Sequence, residues 1–449
     1  MSSSTAAAAR VVWFDGMNAP IAKVRRPWWL LPIFGSVPNI DPRSLSLLGL
    51  VSLAYFFENY DLSLMMSALS FIAADFGIAE SELAGYTGLI RLGALPAFLL
   101  IPFADRLGRR KMFLAAVTGI SLLTFATAFA TSVAAFVAIQ MLMRTCVLAA
   151  STMAFVIIAE EFPAEHRGWG IGMVGALGAC GFGFGAILFG FVESLPYGWR
   201  ALYLVGIVPL LAMPALRRGI PETARFAQHH RERLGAAAGV GGVRGWFQPL
   251  AAMARTYPRR VAGVTLAGTL YSAGEIAVFQ FCGYFTMTAH HWEPWRFSVM
   301  VVVAGAVGMI GNVVAGRLGD AFGRRPVGFA VAASFPVLAW LFYHMPGWSL
   351  PILWAFLTVC SVSCNVTIRA LATEVFPTSH RGTSGGWLSL VQTLGTAAGL
   401  GVVGLGIARG ASLPFMVSLL ALLTVVAGSA LFLLPETSGR ELEEISAEE

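Results

Sequence analysis

Twelve long apolar runs divide this sequence, and they limit its possible folds more than any other feature. A helix that crosses the hydrocarbon core of a bilayer needs about 20 mostly apolar residues. Backbone polar groups find no water there, so such runs must form helices that bond internally. We therefore predict an all-α membrane protein with twelve transmembrane helices. The runs are 46–73, 83–103, 112–130, 133–158, 168–192, 199–216, 261–285, 297–316, 326–344, 350–372, 386–408 and 413–434.

The overall composition supports this prediction. Hydrophobic residues make up 57% of the chain, charged residues only 12%, and the mean hydropathy is +0.73. A soluble globule of this size cannot bury so much apolar surface. The chain is therefore expected to lie in a bilayer, with lipid as its main surroundings.

Three short motifs each occur twice, at nearly constant spacing. The run Asp105-x-x-Gly-Arg-Arg returns at Asp320, an offset of 215, and Glu160-x-Phe-Pro-x-x-His-Arg-Gly returns at Glu374, an offset of 214. Pro221-Glu-Thr returns after another 214 residues. A repeat this long indicates two duplicated domains and not a solenoid. We predict two pseudo-symmetric six-helix bundles at 46–216 and 259–434.

Three further segments complete the predicted organisation. Residues 1–45 form an N-terminal tail, in which the apolar stretch 27–34 follows basic residues and can lie at the lipid headgroups. A disordered tail is the alternative. Residues 217–258 carry many arginines and an Ala/Gly stretch, which predicts a flexible linker between the bundles. Residues 435–449 form a C-terminal tail.

Positive charge predicts the orientation in the membrane. With loops assigned alternately, the two tails and the loops on their side hold 24 of the 30 Lys and Arg residues, whereas the other loops hold only Arg200, Arg296 and Arg409. Positive residues stay on the cytoplasmic side, so both termini are predicted to be cytoplasmic. The net charge of +6 therefore reflects membrane topology, and no nucleic-acid partner is expected.

At these motifs the chain resembles the major facilitator superfamily. The segment 101–110 looks like the signature loop between helices two and three, although its first position is Ile101 in place of Gly. Within the superfamily it is similar to the sugar-porter and organic-ion branch of metabolite:proton symporters. That branch's Glu-to-Arg spacing is matched in both halves, and its C-terminal ending is matched from Pro435. The resemblance implies alternating access, with helices one, four, seven and ten around a central cavity.

Charged residues of the repeated motifs lie at the predicted cytoplasmic helix ends. Opposite charges there can hold the two bundles together when that side is closed, although they can also serve only to anchor helix ends. Single exposed pairs contribute about 0–1 kcal/mol, so only a network can bias the conformation. The predicted gate network comprises Asp105, Arg109, Arg110, Glu160, Arg167, Glu222, Asp320, Arg324, Arg325, Arg369, Glu374, Arg381 and Glu436.

Ionisable residues inside the apolar runs mark the predicted transport site, because a charge in the bilayer is costly and usually faces a cavity. Glu58 and Asp61 lie three residues apart on one face of helix one. Adding the repeat of 214 to Asp61 gives Glu275 of helix seven. These three acids are our proton-coupling candidates. The substrate-binding candidates are Arg144, Arg91, Gln280 and Asn312.

Two kinds of substrate fit these charges. An organic anion can bind the arginines, which form bidentate contacts with carboxylates, while a buried acid carries the proton. Alternatively, the three acids bind an organic cation or drug and exchange it for protons, and Arg144 is only a neutralising partner. For Arg91 a second interpretation is a fixed ion pair with Glu58 or Asp61. The first hypothesis is favoured, because two buried arginines are costly if no anion meets them. A sugar is less favoured, since helix seven lacks the paired glutamines of typical sugar porters.

Other functions are not indicated. The sequence has no phosphate-binding loop for ATP, no nucleophile-and-base set for an enzyme, no cofactor motif and no metal-ligand spacing. A sensor or scaffold built on a transporter fold is the alternative of another class, but it would need neither the gate motifs nor the buried charges. We expect a monomeric secondary transporter in a bacterial inner membrane, moving a small organic anion together with protons.

Overall fold

The computed structural model describes residues 27, 29–30, 37–100, 107–222, 243–377 and 380–438, and twelve membrane-spanning helices make up most of them. In the first half these are α1 (Pro42–Ser67, continued as Leu69–Phe76), α2 (Glu80–Leu92 and Leu95–Leu100), α3 (Arg109–Thr127), α4 (Val133–Glu161), α5 (Arg167–Phe189) and α6 (Trp199–Gly219). In the second half they are α7 (Pro258–Thr288), α8 (Pro294–Phe322), α9 (Arg324–His344), α10 (Leu350–Glu374), α11 (Arg381–Ala408) and α12 (Leu413–Leu433). The predicted all-α fold of twelve transmembrane helices is confirmed.

Within the described ranges, nine of these helices are long and apolar enough to cross a membrane by length and composition alone. The other three are α1, α3 and α8, of which α8 contains the shorter apolar stretch Pro294–Met309. In α1 the charged residues Glu58 and Asp61 lower the mean hydropathy. Such charges can be tolerated where neighbouring helices enclose them.

Glycines hold two pairs of helices close together at duplicated positions. A Cβ added at Gly181 of α5 would lie 2.8 Å from the Phe56 Cα of α1, and still closer to its carbonyl oxygen. At the position 214 residues later, a Cβ on Gly395 of α11 would lie 3.0 Å from the Thr269 Cα of α7. Small residues allow such close backbone approach. The pairs α1–α5 and α7–α11 are therefore equivalent seams in the two halves.

The two ends of the helix bundle differ in charge. We call the end that carries Arg109, Glu160, Arg324 and Glu374 the arginine-rich face, and the end with the turns after α1, α3, α5, α7, α9 and α11 the opposite face. Among the described residues, the main helix contacts between the halves are α1 with α7, α2 with α11, and α5 with α8. At the α5–α8 contact the Ser298 hydroxyl donates to the Ala186 carbonyl at 2.5 Å.

These contacts between the halves lie toward the opposite face. Gly404 of α11 packs on Gly85 near the start of α2, where an added Cβ would lie 3.2 Å from the Gly85 nitrogen. The Ser70 hydroxyl of α1 donates to the Met287 sulfur of α7 at 2.9 Å. The structure is therefore closed at the opposite face.

The segment 217–258, predicted to be a flexible linker, is partly helical. A helix spans Val243–Thr256, and α6 continues to Gly219. The linker helix packs against α7 and α11, with Met253 fully buried and Leu250 half-buried in the core of the second half. Leu250 and Met253 lie three residues apart on one helical face, and burial of this apolar face stabilises the segment as a helix. Residues 223–242, with the Ala/Gly stretch, lie outside the described part.

Part of the N-terminal tail contacts the first half. Leu30 is only 1% exposed, and the Trp29 ring lies against Gly49 of α1, where an added Cβ would be 2.9 Å from the indole. The predicted interfacial stretch 27–34 is thus anchored to protein at these two residues. Residues 31–36 lie outside the described part.

Candidate functional site

A buried acid and a buried arginine occupy the interior of the first half. Asp61 of α1 is completely buried, and Arg144 of α4 is 4% exposed. The Thr124 hydroxyl of α3 donates to Asp61 Oδ1 at 3.1 Å. Asp61 Oδ2 and the Arg144 Nε and Nη2 atoms are buried without a hydrogen-bond partner among the described residues. Groups of this kind are costly to leave unpaired and are candidates for binding a proton or an anion.

Glu58 and Arg144 lie in the same environment. Glu58 is 3% exposed, one helical turn before Asp61, and both carboxylates are within electrostatic reach of the Arg144 guanidinium. Arg144 of α4 is therefore the arginine whose charge acts on both helix-one acids.

Two polar residues beside this cluster were missed from the sequence. Gln140 is completely buried one turn before Arg144, and its Nε2 donates to the Thr127 hydroxyl of α3 at 3.2 Å. A signal existed, since Gln140 and Arg144 are four residues apart and so share a helical face. Gln140 and Thr127 extend the polar interior of the first half toward the opposite face.

Arg91 joins the two halves. Its Nη2 donates to Gln280 Oε1 of α7 at 2.9 Å, and Gln280 Nε2 donates to the Met65 carbonyl of α1 at 3.3 Å. The alternative that Arg91 forms a fixed pair with Glu58 or Asp61 is wrong for this conformation, because Arg91 lies on α2 facing α7. Both Arg91 and Gln280, predicted separately as substrate-binding candidates, lie in one contact between the halves.

Glu275 is the acid of the second half, and two residues of α10 bind it. The Ser361 hydroxyl donates to Glu275 Oε1, and Asn365 Nδ2 donates to the same oxygen at 3.0 Å. Glu275 is half-buried and within electrostatic reach of Arg91 and Arg369. Ser361 and Asn365 were not predicted, although their four-residue spacing on helix ten places them on one face.

Three other predicted residues lie elsewhere or outside the described part of the structure. Arg369, assigned to the gate, is exposed on α10 one turn after Asn365, and its charge acts on Glu275. It therefore lies between the gate and the site. The side chain of Asn312 lies outside the described part of the structure, as does Asp105 of the gate.

The gate motifs form ion pairs inside each half. Arg109 of α3 pairs with Glu160 of α4 at 3.3 Å, and Arg324 of α9 pairs with Glu374 of α10. Arg324 also lies 3.5 Å from Asp320 of α8. In this conformation the ion pairs named here join neighbouring helices of the same half. Ion pairs between the two halves remain a prediction for the conformation that is closed at the arginine-rich face.

Three further arginines of the gate network donate to backbone carbonyls at the helix ends. Arg110 donates to the Arg217 carbonyl, Arg325 to the Phe432 carbonyl at 3.1 Å, and Arg381 to the Phe376 carbonyl at 3.4 Å. Arg167 begins α5, and its Nε is buried with no hydrogen-bond partner among the described residues.

The repeated Pro-Glu-Thr motif has a structural explanation. Glu436 accepts hydrogen bonds from the backbone nitrogens of Arg324 at 2.9 Å and Arg325 at 3.0 Å, and so caps α9. Glu222 accepts likewise from the Arg110 nitrogen at 3.1 Å and caps α3. The residue before each helix is a glycine with positive φ, 102° at Gly108 and 95° at its repeat, so it has no capping side chain. A distant glutamate supplies the cap in its place.

The cap also affects ionisation at Glu436. Partial burial acts against the charged carboxylate, but hydrogen bonds from the Arg325, Arg324, Ser438 and Thr437 backbone nitrogens outweigh it and lower the pKa of Glu436. The positive end of the helix dipole also favours a carboxylate at this position. The motif is therefore a charged helix cap.

The comparisons with known proteins agree with this architecture. The family model "Major Facilitator Superfamily" matches residues 51–400 and 264–449. The chain is 27% identical to a gallate transporter of Pseudomonas putida, over 93% of both chains. It is 25% identical to the 4-hydroxybenzoate transporter PcaK of Pseudomonas aeruginosa, over 82% of this chain and 87% of the relative. It is 26% identical to the cis,cis-muconate transport protein of Acinetobacter baylyi, over 78% and 85%.

A solved structure shows the same fold. The inward-open conformation of the xylose transporter XylE from E. coli matches with a TM-score of 0.71 at 18% identity, over 90% of this chain and 99% of that one. The relatives and the family are transporters and not enzymes. The chain therefore belongs to the Major Facilitator Superfamily, as a multi-pass membrane transporter homologous to carriers of aromatic and other organic acids.

Proposed function

We propose that this protein moves a small organic carboxylate across the bacterial inner membrane together with a proton, by alternating access. The similarity to a gallate transporter and a 4-hydroxybenzoate transporter supports an aromatic acid as the substrate class. The observation that carries the proposal is the unpartnered Arg144 beside the buried Asp61.

Arg144 supplies the site for the anion. Two of its guanidinium nitrogens are buried and make no hydrogen bond to the described residues. A guanidinium presents paired donors that match the two oxygens of a carboxylate. An organic anion that binds there gives these donors partners and offsets the cost of burying the charge.

Asp61 supplies the site for the proton. While Arg144 is free, its positive charge stabilises the ionised Asp61 in an interior that otherwise disfavours charge. A substrate carboxylate that binds Arg144 neutralises that charge, so Asp61 then favours the protonated form. Substrate and proton consequently bind together, and this coupling is symport. Glu58 on the same face and Glu275 in the second half remain candidates for the same role.

The difference between the two faces supports alternating access. The closed opposite face is assigned to the outside and the arginine-rich face to the cytoplasm, because positive residues stay inside. Both termini are then cytoplasmic, and the conformation faces inward. A rocking motion that opens the α1–α7, α2–α11 and α5–α8 contacts would expose the site to the outside.

A thermal-shift screen tests the substrate class. The purified protein and Arg144→Lys would be heated with matched panels of organic carboxylates, organic cations and sugars. A ligand stabilises by about RT ln(1 + [L]/Kd), so weak binders are detected at millimolar concentration. We expect carboxylates to stabilise the parent protein. The lysine variant keeps the charge but loses the paired donors, and so should bind them more weakly.

Each other outcome contradicts part of the proposal. Stabilisation by cations alone, unchanged in Arg144→Lys, would indicate a proton-coupled cation or drug exchanger. Stabilisation by sugars alone would indicate a sugar transporter. Carboxylate binding without proton movement, measured with a pH dye inside proteoliposomes, would refute symport.

A further inference from the structure

Glu275 and Asn365 present two free acceptor atoms. Both hydrogen bonds to Glu275 from the described residues end on Oε1, from Ser361 and Asn365. Glu275 Oε2 and Asn365 Oδ1 accept no hydrogen bond from a described residue. Neither oxygen is completely buried. Since both side chains are only half-buried, these two oxygens are accessible to a ligand.

Donors lie on the other side of the site. Arg91 of the first half uses Nη2 to bind Gln280, and the rest of its guanidinium is not enclosed. The charges of Arg144 and Glu275 both act on Arg91, which lies close to each of them. The site is therefore bipolar, with donors from the first half and acceptors from the second.

We propose that Glu275 and Asn365 form a subsite that accepts a hydrogen bond from a ring hydroxyl of an aromatic carboxylate. Resting on the proposed function, this inference adds the orientation of the substrate, whose carboxylate lies at the arginines of the first half. The negative Glu275 repels the carboxylate end and accepts from the hydroxyl end. An ammonium group fits this subsite less well, because Arg91 and Arg369 both act on Glu275.

Ser361 positions the subsite. Ser361 and the Asn365 Nδ2 group both donate to Oε1, which leaves Glu275 Oε2 and Asn365 Oδ1 without a donor among the described residues. A substrate without a hydroxyl leaves both acceptors without a protein or ligand donor. Sites built to bind a hydroxyl discriminate strongly against analogues that lack it.

Binding of 4-hydroxybenzoate and benzoate to the full-length protein in detergent tests the inference. A hydrogen bond to a charged acceptor corresponds to about tenfold in affinity or more, so the hydroxylated acid should bind the parent at least that much tighter. Glu275→Gln and Asn365→Ala should bring this ratio close to one while benzoate binding changes less than threefold. Thr358→Val is the matched control on α10, because its hydroxyl bonds to the Trp354 carbonyl of its own helix and its methyl faces Gly308 of α8.

The outcomes separate this inference from the proposed function. If neither acid nor any other carboxylate binds the parent, the proposed function itself fails. If both acids bind the parent equally, the hydroxyl subsite is refuted and carboxylate transport stands. Equal losses for both acids in the variants would show a structural role and overturn the inference. Unchanged discrimination in Glu275→Gln, with proton-driven uptake abolished, would make Glu275 a coupling acid instead.

Discussion

The close contact between α1 and α5 gives a prediction whose size can be worked from the structure. Changing Gly181 to Ala adds a methyl group that would lie 2.7 Å from the Phe56 carbonyl carbon and 2.8 Å from its Cα. Gly183, on the same helix, has nothing within 4 Å of an added Cβ. The variant Gly183→Ala is therefore a matched control for the same chemical change.

The two variants share a gain in helix propensity and differ in how closely the added methyl group approaches another helix. Both gain up to about 1 kcal/mol from the better helix propensity of alanine. Only Gly181→Ala pushes against backbone, which cannot rotate away as a side chain can, and the helices must separate by about 1 Å to restore a normal contact near 3.5–4 Å. Overpacking of this kind costs about 1–3 kcal/mol. We expect Gly181→Ala to be about 2 kcal/mol less stable than the control.

Thermal unfolding in detergent, followed by size-exclusion chromatography of the heated samples, measures this difference. In a chain of 449 residues, a gap of 2 kcal/mol corresponds to a melting temperature lower by about 2 °C. The symmetric pair provides a replicate, with Gly395→Ala against Gly401→Ala, since nothing lies within 4 Å of a Cβ on Gly401. Equal melting temperatures for Gly181→Ala and Gly183→Ala would show that the seam is not close-packed and refute the reasoning.

Three further predictions follow from single contacts. Asp61→Asn should abolish substrate-driven proton uptake in proteoliposomes while exchange of substrate across the membrane continues, and intact proton uptake would remove Asp61 from the mechanism. Gln280→Leu removes the acceptor for Arg91, so cysteines introduced near the opposite face should react faster with a membrane-impermeant thiol reagent than in the parent. Glu436→Gln should lower stability by about 1 kcal/mol at pH 7 through a weaker cap. The pKa of Glu436 is lowered, so the charged cap contributes fully above the unfolded carboxyl pKa and is lost as the pH falls through the native pKa. The stability deficit of Glu436→Gln should therefore shrink as the pH falls below the ordinary carboxyl pKa and vanish below the native pKa. A deficit that persists in acid would indicate a role other than charge.

From the sequence it was possible to select the charged residues of the candidate site, but not the residues that they contact. Asp61, Arg144 and Glu275 were recognisable because charges inside apolar runs are costly and rare. Their contacts were not recognisable, since Thr124, Ser361 and Asn365 are common polar residues in membrane helices. The gate residues were likewise predicted from the repeated motifs, yet the contact by which Glu436 caps α9 is visible only in the structure.

What the sequence alone determined is what depends on local composition and repetition. Twelve apolar runs specify twelve helices because the bilayer requires internal backbone bonding over a fixed length. The constant offset of the motifs specifies two equivalent halves. Both properties are present in the one-dimensional order of residues, whichever way each helix is rotated.

What only the tertiary structure decided is which faces meet. A transmembrane helix is apolar nearly all round, so its hydrophobic pattern does not show which side faces lipid, a neighbour or the cavity. Arg91 therefore met Gln280 of the other half and not the acids of α1. The same packing brought Glu275 to α10 and closed the opposite face, because glycine seams and side-chain shape set the rotation and tilt of each helix.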